Sequence, residues 1–571
     1  MKTKIAKCFI ICIILVLNVN IASAMVLKEN SVEKDKITVL TEEEDLPSYF
    51  SWTDINGVDF TTPIRAQQPY HSCEAFAYVA ALEVMVHKEV GYPFGCDLSE
   101  AHLFFNSGGN LEWGSYPEND TNYLVEHGVP DEACWPYPEE KKAYPKNTTC
   151  ENWENRTVKI KNWSYLPPGN ITAIKESIVN NGPVPVNLHT YEDFVYYNGG
   201  IYEHKWGDSY ALHCVCIMGY KDEPSISSGG YWIVKNSWGK YRPNGRTWGE
   251  DGWINIAYGE GSIEQMALLF EGVYGQFPIL YVDDDNTIGP WNGSKDYPYQ
   301  TINAAIDNAY EGWTIYVKNG TYNEKIVINK TINIDGEYPE STIIDGGGEG
   351  IVVYVKRPNV RISGLTIQNS GSERLDSGIR TLSLDSNLTV KNCILKDNDV
   401  GLYLNCADYF TYLSTKNMIY NNSITNNNIG IFTTWVHNNE IIGNTISNNT
   451  LHGIEMEAGR NSIIKDNLIC DNLGKGLFLH GKSDESTITH NTIKNNSHGI
   501  VLEETYNCKI KENNLINNAE NAFFIESRSN LWLRNYWSDW NRILPRPIKG
   551  SINFATLPWL NFDWLPAAQI V

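Results

Sequence analysis

The sequence predicts two different folds in one chain: a mixed α+β domain, followed by an all-β solenoid of short repeats. The chain has 571 residues, which is more than one compact hydrophobic core usually holds. Its composition, 42% hydrophobic and 20% charged, is typical of globular proteins. The composition then changes at about residue 278, after which Asn, Gly, Ile and Thr dominate and glycine recurs every 23 residues.

The first 24 residues predict a signal peptide and therefore an exported protein. Lys2, Lys4 and Lys7 precede an apolar run over residues 8–17, and Ala-Ser-Ala at 22–24 is typical of a cleavage site. An uncleaved anchor helix is the alternative, although the run is short for a bilayer span. Ten of the 12 cysteines follow this segment, and export to a secreted or cell-surface location would permit disulfides.

The charge balance argues against a nucleic-acid partner. The formal charge is −23, from 68 acidic and 45 basic residues, whereas nucleic-acid binding requires basic surface. After residue 24 no stretch is apolar and long enough for a transmembrane span. Triplets of the Asn-x-Ser/Thr type predict a glycoprotein. They include those that start at Asn119, Asn147, Asn155, Asn162, Asn292, Asn319 and Asn387.

Residues 25–45 are polar and predict a short N-terminal arm, and residues 46–272 mix helix and strand patterns. Apolar residues at helical spacing predict a helix over Cys73–Val90, and a shorter one is expected over Ile174–Val179. Alternating apolar residues predict strands over 184–188, 213–218 and 231–235.

The second half carries a regular repeat that predicts a parallel β-helix. Glycine stands at 430, 453, 476 and 499, and an Ile/Leu-x-Asn/Asp-Asn pattern runs in step at 424, 446, 469, 493 and 515. An insertion near 407–416 interrupts this register. We expect the Ile side chains to stack inside, the Asn amides to form a ladder, and the glycines to occupy tight bends. Leucine-rich repeats have a similar length, but their consensus is missing.

Four segments of the first half, in order, resemble the papain family of cysteine peptidases. They are Thr62-Pro-Ile-Arg-Ala-Gln-Gln-Pro-Tyr-His-Ser-Cys-Glu-Ala-Phe-Ala77, Tyr210-Ala-Leu-His-Cys-Val215, Trp232-Ile-Val-Lys-Asn-Ser-Trp-Gly239 and Trp248-Gly-Glu-Asp-Gly-Trp-Ile254. The resemblance covers about residues 46–272. It implies a papain-like α+β fold and a secreted cysteine endopeptidase that acts on proteins or peptides through an acyl-enzyme.

The resemblance assigns a role to each motif residue. Cys73 would be the nucleophile, His213 the general acid and base, and Asn236 the residue that orients the imidazole. Gln67 and the backbone N–H of Cys73 would form the oxyanion hole, and Trp238 would shield the His–Asn hydrogen bond. Because Cys73 begins the predicted helix after a potential Ser N-cap, we also expect the helix dipole to lower the pKa of the thiol.

Further expectations concern the binding cleft. Gly108 and Gly109 resemble the glycine pair along which a substrate backbone pairs. Glu271 resembles the floor of the second specificity pocket, where it would favour a basic side chain; the alternative is a solvated surface glutamate. No insertion resembles a dipeptidase occluding loop, which favours endopeptidase action. The family's bridged loop implies a Cys134–Cys150 disulfide.

The sequence departs from the family at several positions. Glu74 stands where the family has Trp, and a buried carboxylate there would raise the pKa of the thiol. Tyr70 replaces a half-cystine, and residues 25–45 are too short for the usual inhibitory propeptide. The segment His213-Cys-Val-Cys216 also suggests a metal cluster, but on a strand both thiols face away from the imidazole. We expect no metal and no cofactor.

Residues 278–540 resemble right-handed β-helices of the pectin-lyase-like superfamily and its copper-accessory-protein branch. The residues that carry this resemblance lie at 281–285, 289–291, 301–306, 312–317 and 535–539. It implies binding of carbohydrate or a cell surface, and we expect Trp559 and Trp564 in the tail, residues 541–571, to cap the coil. Two alternatives stay open: a non-catalytic peptide- or glycan-binding surface protein, and a polysaccharide-degrading β-helix enzyme.

Overall fold

A computed structural model describes residues 46–138, 150–151, 153–241, 245–381, 386–406, 416–540, 544–552 and 557–571. The predicted signal peptide and the polar arm at 25–45 lie outside the described residues. Among the residues that are described, no helix has the length and apolar character needed to cross a membrane.

The first part of the chain is a mixed α+β fold, as the sequence predicts. Its helices are α1 (Cys73–Val90), α2 (Glu100–Asn106), α3 (Pro117–Glu126), α4 (Ile171–Asn180) and α5 (Glu192–Val195). Its strands are β1 (Tyr49–Ser51), β2 (Val158–Tyr165), β3 (Val184–Tyr191), β4 (Ile201–Tyr202), β5 (Ser209–Asp222), β6 (Gly230–Lys235), β7 (Trp253–Ala257) and β8 (Met266–Gly275). They form one sheet in the order β2-β8-β3-β5-β6-β7-β4, with β1 also paired to β5.

Helix α1 has the bounds that the apolar spacing predicts. It ends at Gly91, whose φ of 95° lets its backbone N–H bond to His87 O, a left-handed C-cap that suits glycine. The helix is buried along almost its whole length, because it packs against both α2 and β5. Its first residue, Cys73, is hydrogen-bonded to the backbone of Cys214, the neighbour of His213 on β5.

The second part is a parallel β-helix with a short helix, α6 (Ile302–Asn308), between its first two strands. Its strands are β9 (Ile279–Val282), β10 (Thr314–Val317), β11 (Gly320–Tyr322), β12 (Ile326–Ile328), β13 (Asn333–Gly336), β14 (Thr342–Asp345), β15 (Val353–Val355), β16 (Arg361–Ser363), β17 (Thr366–Gln368), β18 (Ser377–Thr381), β19 (Thr389–Lys391), β20 (Ile394–Lys396), β21 (Val400–Asn405), β22 (Met418–Tyr420), β23 (Ser423–Thr425), β24 (Ile429–Thr434), β25 (Glu440–Ile442), β26 (Thr445–Ser447), β27 (His452–Glu457), β28 (Ile463–Lys465), β29 (Leu468–Cys470), β30 (Lys475–His480), β31 (Thr487–Thr489), β32 (Thr492–Lys494), β33 (His498–Glu503), β34 (Lys509–Lys511), β35 (Asn514–Ile516), β36 (Glu520–Ile525), β37 (Leu531–Leu533), β38 (Tyr536–Trp537), β39 (Arg546–Ile552) and β40 (Leu557–Asp563). One of its sheets contains ten parallel strands, from β11 to β38, one per coil.

The predicted isoleucine stack and asparagine ladder are both present. Ile424 pairs with Ile446, and Ile446 with Ile469, all fully buried at successive coils. Asn467 donates through Nδ2 to Asn491 Oδ1 at 2.9 Å, and its own Oδ1 accepts from Asn444 Nδ2 at 3.0 Å. These amides satisfy one another and the buried backbone of the bends, which fixes the register of neighbouring coils.

The repeating glycines have a different role from the predicted one. Gly430, Gly453 and Gly476 lie inside strands β24, β27 and β30, whereas Asn426 and Asn448 adopt positive φ at bends. A Cβ added to Gly453 would lie only 2.6 Å from the carbonyl oxygen of Gly476. Glycine is therefore required by the close approach of neighbouring coils and not by a bend.

The C-terminal tail closes the coil, but not with the predicted tryptophans. Trp559 and Trp564 are 55% and 60% exposed, whereas Asp563 on β40 is fully buried. Asp563 Oδ2 accepts from Asn535 Nδ2 and from Trp537 Nε1, each at 3.0 Å. The last amide of the ladder thus finds a carboxylate where the next asparagine would have been.

The two parts share a buried contact. Asp131 in the first part accepts both Arg156 Nε at 2.9 Å and Arg156 Nη2 at 2.6 Å. The same carboxylate accepts Trp313 Nε1 of the β-helix at 3.1 Å. Nearby, the rings of Tyr92 and Tyr316 approach to 4.6 Å between centroids. The first coil of the β-helix is therefore packed directly against the α+β fold.

Candidate active site

His213 and Asn236 form the hydrogen-bonded pair that the sequence predicts. Both side chains are buried, on β5 and just after β6, and His213 Nε2 lies 2.8 Å from Asn236 Oδ1. Because the amide oxygen only accepts, Nε2 carries a hydrogen and Nδ1 is left as the basic nitrogen. Burial lowers the pKa of His213 to about 4, and the hydrogen bond to Asn236 opposes that shift. The resting imidazole is therefore neutral.

Trp238 covers this pair on one side. Its ring stacks on the His213 imidazole with 4.9 Å between centroids and an interplanar angle of 29°. Trp238 is itself held edge-on by Phe194 and Trp248, at 5.5 and 5.3 Å. This packing keeps water from the His–Asn hydrogen bond and fixes the plane of the imidazole.

Gln67 is fixed beside the start of α1. Its Oε1 accepts from Ser237 Oγ at 2.7 Å, and its Nε2 donates to Tyr70 O at 3.3 Å. The amide group is thereby oriented with Nε2 on the side away from Ser237. The first backbone N–H groups of α1 have no acceptor within the helix, so the N–H of Cys73 is available as a donor.

These motifs agree with known proteins. A family model described as papain family cysteine protease matches residues 46–270. Cysteine proteinase 1 of Entamoeba histolytica is 31% identical over 243 residues, which cover 41% of this chain and 70% of that protein.

The chain belongs to the papain family. Cathepsin J of Rattus norvegicus is 29% identical over 37% of this chain and 60% of its own length. Fruit bromelain of Ananas comosus is 28% identical over 38% of this chain and 56% of its own length. The chain thus spans less than two thirds of the length of these two relatives.

One solved structure and a second family model complete the comparison. The bromelain protease of Ananas comosus, in complex with the E64 inhibitor, matches 40% of this chain and 99% of its own, at 25% identity and a TM-score of 0.32. A model described as periplasmic copper-binding protein (NosD) matches residues 306–543. This second match covers most of the β-helix.

The sequence predicts that the dipole of α1 lowers the pKa of the Cys73 thiol. In the structure of this papain-family member, the pKa of that thiol is raised instead. Ser72 is the N-cap residue of α1, but its hydroxyl makes no cap and lies 2.6 Å from Tyr137 Oη. The thiol of Cys73 donates to Glu74 Oε2 at 3.1 Å. Burial, followed by the charge of Glu74, raises the pKa of Cys73 well above its usual range. These two effects outweigh the helix dipole, which is worth less than about 1 kcal/mol at most sites.

Gly114 lies against the turn that precedes Cys73, and the substrate-pairing role of Gly108 and Gly109 stays a prediction. Gly108 and Gly109 follow the end of α2, where a Cβ on Gly109 would collide with Phe104 O. A Cβ on Gly114 would lie 2.8 Å from His71 O and 3.6 Å from Glu74 Oε2. The signal that could have found it is the Gly-Ser-Tyr-Pro segment directly before α3.

Glu271 lies at the surface of β8. Its Oε2 accepts from Asn162 Nδ2 on the edge strand β2, at 3.3 Å, and its side chain is exposed. This position is what the surface alternative expects. A role in the second specificity pocket stays a prediction.

The Cys134–Cys150 disulfide is present and belongs to a segment that braces the site. Tyr137, which follows Cys134, donates through its hydroxyl to Gln67 O at 2.6 Å. No local sequence pattern predicts this tyrosine, because its contact with Gln67 joins segments that are distant in sequence. Cys214 and Cys216, the two thiols of the alternative metal cluster, are buried on β5.

Proposed function

We propose that the chain is a cysteine endopeptidase that hydrolyses peptide bonds at Cys73. The observation that carries this proposal is the buried His213–Asn236 pair under Trp238. His213 is the strand neighbour of Cys214, whose backbone is hydrogen-bonded to Cys73. Membership of the papain family supports the same reaction. The positions of Cys73, His213, Asn236 and Gln67 support the role proposed for each.

The proposed reaction has two steps. Cys73 passes its proton to Nδ1 of His213, and the thiolate attacks the carbonyl carbon of the peptide bond. Gln67 Nε2 and Cys73 N–H stabilise the oxyanion, and the imidazolium returns the proton to the leaving amine. Water, deprotonated by His213, then hydrolyses the thioester and restores the thiol. Asn236 keeps the imidazole in the tautomer that both steps need.

Hydrolysis of internally quenched peptides, blocked at both ends, tests this proposal. We expect the mature protein to cleave such peptides, and the His213→Ala variant to lose the activity by about 10³-fold. His189→Ala, which changes an exposed histidine on β3, is the matched control and should retain activity. Cleavage that survives His213→Ala would contradict the proposal, and a folded protein that only binds peptides would favour the non-catalytic alternative.

We also propose that the protein is exported. The predicted signal peptide and the Cys134–Cys150 disulfide support this location, since disulfides persist in oxidising compartments. Expression of the full chain followed by N-terminal sequencing of the mature protein tests it. The expected new N-terminus is Met25, and an intact Met1 on a cell-retained protein would contradict export.

For the β-helix we propose carbohydrate binding, and one groove favours it. Phe523, Lys549 and Trp559 line an open groove of about 760 Å³, together with Gly550, Pro558 and Leu560. An exposed indole beside a cation is suited to a sugar ring that carries an acidic group. Trp559→Ala should abolish retention on an acidic polysaccharide column, whereas Trp564→Ala, an equally exposed control, should not. Equal retention of both variants would contradict this site.

The description of the second family names copper, and the described residues do not fit that metal. Within the described ranges, the group of potential ligands whose donor atoms come within 4.8 Å of one another is Asp283, Asp284 and Asp285. Copper sites use imidazole and sulfur donors, whereas three carboxylates suit harder cations. We therefore derive no step that involves copper.

A further inference from the structure

Glu74 lies directly beside the thiol of Cys73. It follows Cys73 in α1, is 9% exposed, and accepts the thiol hydrogen through Oε2 at 3.1 Å. The hydrogen of the thiol is therefore directed to a carboxylate rather than to Nδ1 of His213. A papain-type reaction must first break this contact, because the proton has to pass to the imidazole.

The surroundings of Glu74 make its charge costly. Asp120 of α3 is fully buried, accepts Ser115 Oγ at 2.5 Å and Ser107 Oγ, and has a pKa raised by burial to about 7, with a smaller contribution from Glu74. Tyr78 of α1 and Cys214 of β5 are the other titratable groups near Glu74, and the pKa of each is raised well above its usual range, first by burial.

No cation is recorded among the groups that act on Glu74 in the described structure. Burial raises the pKa of Glu74, and its contact with the Cys73 thiol opposes the shift only in part. Gly114 also lies close to the Glu74 carboxylate, since a Cβ added to this glycine would be 3.6 Å from Oε2. Glu74 thus takes up a proton at a higher pH than an ordinary glutamate does.

We propose that Glu74 is an acid-sensitive positioning residue: as a carboxylate it holds the thiol hydrogen of Cys73, and as a carboxylic acid it releases that hydrogen to His213. Glu74 first takes up a proton from the solvent, and the thiol proton of Cys73 then moves from Sγ to Nδ1 of His213. The protonated Glu74 then donates its own hydrogen to the thiolate, which stabilises the reactive form. This inference rests on the proposed peptidase function and adds its regulation by pH.

The consequence is a thiol that reacts best in mildly acidic solution. In its carboxylate form Glu74 opposes a second negative charge at 3.1 Å, which disfavours the thiolate of Cys73. As the pH falls through the titration of Glu74, that opposition disappears. Because one pKa unit corresponds to a tenfold change in the fraction of thiolate, the effect is large enough to measure.

The test is the rate of alkylation of Cys73 by iodoacetamide as a function of pH, on the full mature chain. For the wild type we expect the rate constant to rise by about tenfold between neutral pH and pH about 5. Glu74→Gln keeps the size of the side chain and removes the charge, so it should react about tenfold faster than the wild type at neutral pH and no faster at acidic pH. Glu112→Gln is the same change at an exposed position, on the loop between α2 and α3. This control variant should follow the pH profile of the wild type.

Identical pH profiles for the wild type and Glu74→Gln would overturn the role of Glu74 and leave the peptidase proposal intact. Alkylation that His213→Ala leaves unchanged at every pH would overturn the peptidase proposal itself. If Glu74→Gln does not fold, the wild-type profile decides alone: a rate that only falls with falling pH overturns the inference.

Discussion

The imidazole of His213 donates through Nε2 to Asn236 Oδ1 at 2.8 Å, and this bond sets which nitrogen of the ring is basic. The same amide oxygen also accepts the backbone N–H of Ser237 at 2.8 Å, so Asn236 is held in one orientation. The chemistry of the proposed peptidase depends on this pair as much as on the thiol.

Replacing Asn236 with alanine should lower kcat/KM by about 10²-fold while KM changes little. Without the amide oxygen, the imidazole can take either tautomer and can rotate under Trp238. Asn255→Ala changes an asparagine on β7 that contacts Glu250, and it serves as the matched control. A kcat/KM for Asn236→Ala equal to that of the control would show that the orientation of His213 is set by its packing alone.

Replacing Asp120 with asparagine should change the pH dependence of stability. In the folded protein burial raises the pKa of Asp120 from 3.8 to about 7, so the native state binds a proton that the unfolded state has lost. Its contribution to stability is therefore present below the unfolded pKa and is lost as the pH rises through the folded pKa. As the pH rises from about 4 to about 7, the free energy of unfolding of the wild type should fall relative to that of the variant. We expect this difference to change by up to about 1.4 kcal/mol per pH unit.

Urea unfolding at several pH values measures this difference. Asp54→Asn, at an exposed acid near β1, is the control, and its stability relative to the wild type should be flat across the same range. A flat difference for Asp120→Asn would mean that Asp120 is already ionised in the folded protein at acidic pH.

Much of this architecture is predictable from sequence because it repeats or follows a helical period. Ile446 and Asn467 recur with their neighbours at a fixed spacing, so the stack and the ladder follow from the pattern. Cys73, His213 and Asn236 stand in motifs whose order is itself informative. The contact between the Glu74 carboxylate and the Cys73 thiol could not be predicted in this way, because adjacent residues on a helix do not normally face one another. The place of Gly114 and the capping role of Asp563 were also missed, since each depends on a contact between segments distant in sequence.

The asparagine ladder should carry much of the stability of the β-helix. Asn467 Oδ1 accepts from Asn444 N at 2.9 Å, and Asn467 Nδ2 donates to Ile441 O at 2.8 Å. Asn467→Ala removes both hydrogen bonds and leaves these two backbone groups without their partner. Leaving such buried groups unpaired costs about 1–3 kcal/mol each. We expect a loss of at least about 2 kcal/mol in urea unfolding. Asn428→Ala, at an exposed position of the β-helix, should lower the free energy of unfolding by less than about 0.5 kcal/mol. Equal losses for the two variants would contradict the stabilising role of the ladder.

The buried contact between the two parts should couple their stability. Asp131→Ala leaves the Arg156 guanidinium buried without its carboxylate partner, and breaking such a pair costs about 3–5 kcal/mol. It also removes the acceptor of Trp313 Nε1. The double change Asp131→Ala with Arg156→Met should recover part of this loss in the same unfolding measurement. A single variant as stable as the wild type would show that the contact contributes nothing to the fold.

The most direct test of the peptidase account is the intact mass of the mature protein after treatment with an epoxysuccinyl thiol inhibitor at mildly acidic pH. The account predicts one added inhibitor per chain, no addition in Cys73→Ala, and a strongly reduced rate in His213→Ala. Cys96, Cys214 and Cys216 are buried and should not react. An unlabelled wild-type protein under reducing conditions, or equal labelling of the Cys73→Ala variant, would contradict a reactive thiol at Cys73.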